Sequence, residues 1–290
     1  MFTASLIATT PPGIKDSLRL AFASILPQHS LERVLAPGMA IEWHLPLSSD
    51  PDALRGLLRE KFSAENVDIN VISSDFRQKK VFLADMDSTI VDGETLDELA
   101  VFAGIGEQVA VITARAMNGE IDFKKALHQR VALLKGLPES AIDDVLASMR
   151  YIDGARSLLS ALKTKDIVTV LVSGGFLPFT NRVRRDLGFD ADYGNVLHLN
   201  NGIIVGTVED PILDRYAKKT ILEDTCRLKG CTPAEAIAIG DGTNDLLMLQ
   251  TAGIGIAFRP KPTLAAAVST WVHHSDLRAA WYLMGYEGLV

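Results

Sequence analysis

Val81-Phe-Leu-Ala-Asp-Met-Asp-Ser-Thr-Ile90 is the stretch from which the rest of the chain can be read. Its first four residues, Val81 to Ala84, are apolar and read as a short buried strand. Asp85 and Asp87 sit at the carboxyl end of that strand, followed by Ser88 and Thr89. In an open α/β sheet, ligands bind beyond this edge. Two aspartates one residue apart repel each other, and a metal ion removes that penalty by inverting the local electrostatics. Met86 alternates away from them and belongs to the core. A solvated turn after a strand is the ordinary alternative, so the pair needs support from the rest of the chain.

Two later segments repeat the arrangement. Ile167 to Val172 is apolar and β-branched and leads into Ser173-Gly174-Gly175, and Ala236 to Gly240 leads into Asp241-Gly-Thr-Asn-Asp245 and a helix over Leu246–Gln250. Helices predicted at Ala155–Lys163, Pro178–Leu187 and Tyr216–Leu228 lie between the strands. Such alternation makes an α/β, doubly wound parallel sheet with its polar loops on one edge. Ile254–Ala257 adds a core strand, and Val196–Val208, with Asn200-Asn-Gly202 at its centre, reads as a hairpin. From about 93 to 150 the chain turns helical, with apolar residues three and four apart over Thr95–Phe102, Glu107–Met117, Phe123–Leu134 and Glu139–Met149. Four helices inserted directly after the first core strand make a helical cap that closes over the site and excludes water.

Residues 1–75 follow a β-α-β-β-α-β rhythm, the ferredoxin-like motif. Strands are expected at Ser5–Thr9, Arg33–Leu35, Met39–Leu45 and Val67–Ile72, with helices at Ile14–Leu26 and Asp52–Phe62. The opening Pro11-Pro-Gly-Ile14 resembles small amino-acid-binding domains of the ACT type, and a purely structural or dimerising module is the alternative. Polar Ser73-Ser-Asp-Phe-Arg-Gln-Lys-Lys80 reads as a linker. The division is therefore an N-terminal α+β ferredoxin-like (ACT-like) domain, 1–75, and a catalytic domain, 76–290.

The totals limit the partners. A chain of 290 residues with 48% hydrophobic content can bury a large core, and its net charge of −7 argues against a nucleic-acid partner. Cys226 and Cys231 have no zinc-like spacing and read as reduced thiols. No apolar run reaches the roughly 18 residues that would span a bilayer. The N-terminus lacks the cationic region of a signal peptide. A cytoplasmic protein with no membrane partner is expected, and a homodimer is the one assembly allowed for.

If the three strand ends converge, Asp85, Asp87, Ser173, Lys218, Asp241 and Asp245 supply carboxylates, a hydroxyl and an ammonium beside glycine-rich turns. That set suits a phosphoryl group next to a hard cation. Mg²⁺ prefers oxygen ligands, whereas zinc would want histidine or cysteine, and none flanks these loops. Glycines at 174, 175, 240 and 242 let backbone N–H groups approach phosphate oxygens.

These motifs, in this order, resemble the haloacid dehalogenase-like (HAD-like) hydrolases. Glu94, Ala116-Met-Asn-Gly-Glu120, Arg130-Val-Ala-Leu-Leu-Lys135 and Val172-Ser-Gly-Gly-Phe176 are similar to the phosphoserine phosphatases among them, over roughly residues 80–285. The resemblance implies that Asp85 is the nucleophile and Asp87 the acid and then base. It implies that Ser173, the Gly174 N–H, Lys218 and Asn244 bind the phosphoryl group. Asp85, Asp241 and the backbone carbonyl of Asp87 would hold Mg²⁺, with Asp245 a weaker ligand or a brace for Lys218. The family's lysine stands three residues before an inward aliphatic one, here Ile221, which selects Lys218 over Lys219. Arg130 would fork the substrate carboxylate and Glu94 take its ammonium. The activity implied is hydrolysis of phosphoserine, the last step of serine biosynthesis. Phosphoryl transfer to an alcohol such as homoserine and a serine-sensing regulatory protein are the alternatives.

Overall fold

Six parallel strands carry the polar loops on one edge, and a four-stranded antiparallel sheet precedes them in the chain. The structure, a computed structural model, describes residues 1–117 and 120–289. Asn118 and Gly119, in the middle of the Ala116–Glu120 motif, lie outside the described residues.

The first sheet and its helices run β1 (Phe2–Ile7), α1 (Asp16–Ala23), β2 (Leu31–Ala36), β3 (Ala40–His44), α2 (Pro51–Lys61) and β4 (Asp68–Ser73). The strand order β2-β3-β1-β4, all antiparallel, is the order the β-α-β-β-α-β rhythm predicts. Leu18 and Phe22 of α1 and Leu58 of α2 cover one face, where Phe22 packs 4.9 Å from Trp43. Asp50 caps α2 by accepting the N–H groups of Asp52 and Ala53, and Pro51 opens the helix, where its missing donor costs nothing.

The rest of the chain is built around β5 (Val81–Ala84). The cap follows as α3 (Thr95–Phe102), α4 (Gly106–Met117), α5 (Phe123–Leu133) and α6 (Ser140–Ser148). Then come α7 (Ala155–Thr164), β6 (Val168–Phe176), α8 (Leu177–Leu187), β7 (Ala191–Asn195), the hairpin β8 (Leu197–Asn200) and β9 (Ile203–Val208), and α9 (Arg215–Lys229). The chain closes with β10 (Ala236–Gly240), α10 (Leu246–Thr251), β11 (Ile254–Phe258), α11 (Pro262–Ala267), β12 (Thr270–Val272) and α12 (Ala279–Leu283). The sheet order is β12-β11-β10-β5-β6-β7. All four residues of β5 are fully buried between β6 and β10, with Ala84 opposite Leu171 on one side and Ile239 on the other. That register brings the three polar loops to one place.

The structure departs from expectation in the bounds of β1 (Phe2–Ile7 against Ser5–Thr9) and α1 (Asp16–Ala23 against Ile14–Leu26), in the unforeseen helices α11 and α12, and in three further respects. Ser173-Gly174-Gly175 continues β6 as an irregular strand, whose register against β7 slips between Val172 and Phe176. β7 and β12 are extra strands; the first is the polar Ala-Asp-Tyr-Gly-Asn and the second only three residues long, so neither shows a strand period. The expected linker is firmly held: Arg77 and Lys79 are buried, and Arg77 pairs with the buried Glu42 at 2.6 Å and donates to the carbonyls of Tyr282 and Leu283.

Polar contacts join the two sheets. The Asp68 carboxylate accepts the N–H groups of His273, His274 and Ser275 at 2.6, 3.2 and 2.8 Å. The Asn70 amide pairs with both backbone groups of Trp271, and the Arg59 guanidinium lies 3.8 Å over the Trp271 ring. The cap is fastened at two ends. Its entry and exit chains pair through the Asp92 N–H on Arg150 O and the Ile152 N–H on Ile90 O, both at 2.9 Å. At the far side the hairpin reaches the turn between α5 and α6: Gly136 N–H donates to Ile204 O, Ile204 N–H to Leu137 O and Glu139 N–H to Gly202 O. Among the described residues no helix is long and apolar enough to cross a membrane.

Candidate active site

Asp85 is the first residue past β5, and its N–H still donates to Ile239 O at 3.0 Å. The chain then folds back tightly. Met86 O accepts the N–H groups of Thr89, Ile90 and Val91, and Ser88 takes a positive φ of 55°. This turn aims Asp87 across the sheet edge. One Asp87 oxygen accepts the Thr95 N–H at 2.9 Å, from the first turn of α3, and the other accepts the Ser173 hydroxyl at 3.2 Å. The Ser173 oxygen in turn accepts the Gly175 N–H at 2.8 Å. Burial pushes the Asp87 carboxyl above the usual range, against the hydrogen bonds from Thr95 and Ser173 that hold it down.

Lys218 lies on the first turn of α9, which Asp214 caps through the N–H groups of Tyr216 and Ala217. Its side chain is 1% exposed and donates to Asp85 Oδ1 and, at 2.6 Å, to Asp245 Oδ1. Its pKa is raised: the two carboxylates outweigh the burial that acts the other way. Lys219 is half-exposed beside Glu223. Burial first, then the charge of Asp245, pushes Asp85 well up in spite of Lys218. Burial and Asp245 also push the Asp241 carboxyl up to about 6.

Oxygens of Asp85, Asp241 and Asp245 lie within 4.8 Å of one another. Three crowded carboxylates against a single ammonium leave negative charge uncompensated, and every donor is a hard oxygen, so the set fits a hard divalent cation. Asp245 is already committed, since its Oδ1 accepts Lys218 and its Oδ2 the Gly242 N–H at 3.1 Å. The Asp87 side chain is turned to Thr95 and Ser173 and lies outside this acidic group.

The remaining expected residues form the roof. Gly174 sits beneath the cap: a Cβ there would meet the Phe123 ring of α5 at 3.1 Å. Asn244 folds over Gly242. Arg130, on α5, is half-buried, its Nε buried and without a hydrogen-bond partner, and burial lowers its pKa against the charges of Asp97, Glu94 and Asp87. Glu94 stands at the rim, its Oε1 accepting the Ser88 hydroxyl at 2.9 Å. Its residue surface is open to solvent, yet burial of the carboxyl and the charge of Asp87 push it up to about 7.

Sequence reasoning did not find Thr95, Phe123 or Asn195. Asn195 bridges Gly174 O and the Leu213 N–H, both at 2.8 Å, and so ties the Ser173 segment to the approach to α9. A lone asparagine in a polar strand gives no advance sign of this.

The family model for the haloacid dehalogenase-like hydrolases matches residues 79–253. A phosphoserine phosphatase of Lactococcus lactis is 42% identical over 200 residues, which are 69% of this chain and 91% of that protein. One of Archaeoglobus fulgidus is 40% identical over 217 residues, 73% of this chain; the match spans 63% of that relative's length. A crystal structure of a HAD family hydrolase from Salmonella enterica serovar Typhi superposes with a TM-score of 0.89 at 26% identity, covering 98% of this chain and 99% of that one.

Proposed function

The chain belongs to the haloacid dehalogenase-like hydrolases, and from that premise we propose that it is a phosphatase that hydrolyses O-phospho-L-serine to serine and phosphate. One observation carries the reading: Asp85, Asp87, Ser173 and Lys218, from two strand ends and a helix, meet beneath a cap that holds an arginine with an unpartnered Nε.

In this mechanism the free oxygen of Asp85 attacks phosphorus, and the bond from phosphorus to the serine oxygen breaks. Asp87, whose burial favours the protonated form, gives its proton to that departing oxygen. The same carboxylate then takes a proton from the water that attacks the aspartyl-phosphate, releasing phosphate and restoring Asp85. Thr95 N–H and the Ser173 hydroxyl fix Asp87 for both transfers. Lys218 holds positive charge against the phosphoryl oxygens, with Asp245 as its brace. Ser173, the Gly174 N–H and Asn244 complete the phosphoryl site, each such donor contributing on the order of 3 kcal/mol to the transition state. Arg130 takes the substrate carboxylate and Glu94 its ammonium. Asp85, Asp241 and the Asp87 carbonyl would hold Mg²⁺, which when bound neutralises charge on the transferring group.

The test is Mg²⁺-dependent phosphate release from a panel of phosphomonoesters, with and without homoserine as an alternative acceptor. Phosphoserine should be preferred, water should remain the acceptor, and Asp85→Asn should lower kcat by at least about 10³-fold. Full turnover by that variant would end the proposal.

A further inference from the structure

Among the described residues, four buried polar atoms on the cap helices lack partners, on Thr95, Asp97, Thr113 and Arg130, and two of these belong to charged groups. Arg130 Nε on α5 and Asp97 Oδ1 on α3 are both buried and without a hydrogen bond. Asp97 follows Glu94 by three residues at the start of α3, the spacing that places two side chains on one helix face. The Asp97 carboxylate is also the charge that most favours the Arg130 cation, ahead of Glu94 and Asp87. Carboxylates thus outnumber the cation in this region, which suits the arrival of a second cation. An ammonium group has three donors. Glu94 already has one oxygen occupied by Ser88, so it offers an incomplete set of acceptors.

We infer that Asp97 is a specificity-determining residue, which together with Glu94 receives the α-ammonium group of an amino-acid phosphate while Arg130 receives its carboxylate. The inference rests on the amino-acid-phosphate reading above. A zwitterion placed in this way supplies the donor that Asp97 Oδ1 lacks and the acceptor that Arg130 Nε lacks. A phosphate ester with a hydroxyl in place of the ammonium satisfies the arginine but brings the two carboxylates one neutral donor instead of three charged ones. Asp97 itself takes no part in bond making or breaking.

The experiment compares kcat/KM for phosphoserine and for 3-phosphoglycerate, which keeps the carbon skeleton and carboxylate and replaces the ammonium with a hydroxyl. Asp97→Asn should reduce the preference for phosphoserine by about tenfold or more, through KM, because a charge-assisted bond is lost for one ester only. Asp97→Glu should restore a substantial part of it. Asp97→Ser gives the same contrast should the asparagine variant fold poorly. Equal losses on both esters would mean that Asp97 merely steadies Arg130, whose carboxylate partner the two esters share, and would overturn the inference. A wild-type enzyme that does not distinguish the esters would overturn the amino-acid reading itself, a separate and recognisable failure.

Discussion

Glu94 and Gly175 show how much rests on single positions. A carboxyl raised to about 7 carries its proton below that pH and its charge above it. Ammonium capture needs the charge. The KM for phosphoserine should therefore fall as pH rises from 6 to 8, and Glu94→Gln should flatten that part of the KM–pH profile. Gly175 is confined differently. A Cβ there would lie 3.1 Å from Ser173 Oγ and 3.2 Å from Asp87 Oδ2, between the two groups that must touch. Gly175→Ala should lower kcat by about 10²-fold, since small displacements of reacting groups are that costly. The melting temperature, measured alongside, should change little by comparison. Gly240 has no such latitude, because a Cβ would sit 2.5 Å from Asp245 Cγ and displace the brace of Lys218.

Among the elements, the hairpin of β8 and β9 governs how the cap sits. Gly206 has a φ of +87°, and a Cβ would meet Lys135 Cβ at 2.8 Å. Gly206→Ala should destabilise the protein by about 1–3 kcal/mol, from left-handed strain and overpacking together, read as a lower urea midpoint. The cap also touches the core through Lys124, 3.2 Å from the Asp214 that caps α9. The polar loops and most helices were legible from the chain alone because each loop follows a strand made almost wholly of apolar residues. Val81–Ala84 and Thr95–Phe102 were read to the residue. The contacts of the hairpin were not legible, since they are backbone bonds between segments some 65 residues apart that no side-chain pattern encodes. Thr95 was hidden for the same reason: its backbone N–H, not its side-chain type, reaches Asp87.

Across the whole molecule, the N-terminal layer is bound by buried polar groups as well as by an apolar seam, in which Ile7, Leu35, Ala36, Ala40 and Ile72 join the core of the larger sheet. Asp68 alone satisfies three N–H groups of the chain after β12, and it is almost fully buried. Asp68→Ala would leave those donors unpaired, at a cost of about 3 kcal/mol. A drop in melting temperature of roughly 5–10 °C should follow. A change smaller than about 2 °C would show that the contact contributes little. The ferredoxin-like order was readable from element rhythm, whereas its docking was not: the 73–80 segment looked like a tether because Arg77 and Lys79 are cations, and their burial depends on partners far away in the chain.

The paired crossings at Ile90–Asp92 and Arg150–Ile152 hold the entry and exit chains of the cap side by side, the arrangement of a single pivot about which a lid would turn rather than slide. Any swing about that pivot must peel residues 136–139 away from 202–204. On the phosphatase reading, the gate for a departing product is then the tip of a hairpin that carries none of the proposed catalytic groups, and a covalent tie between positions 137 and 203 should slow product release.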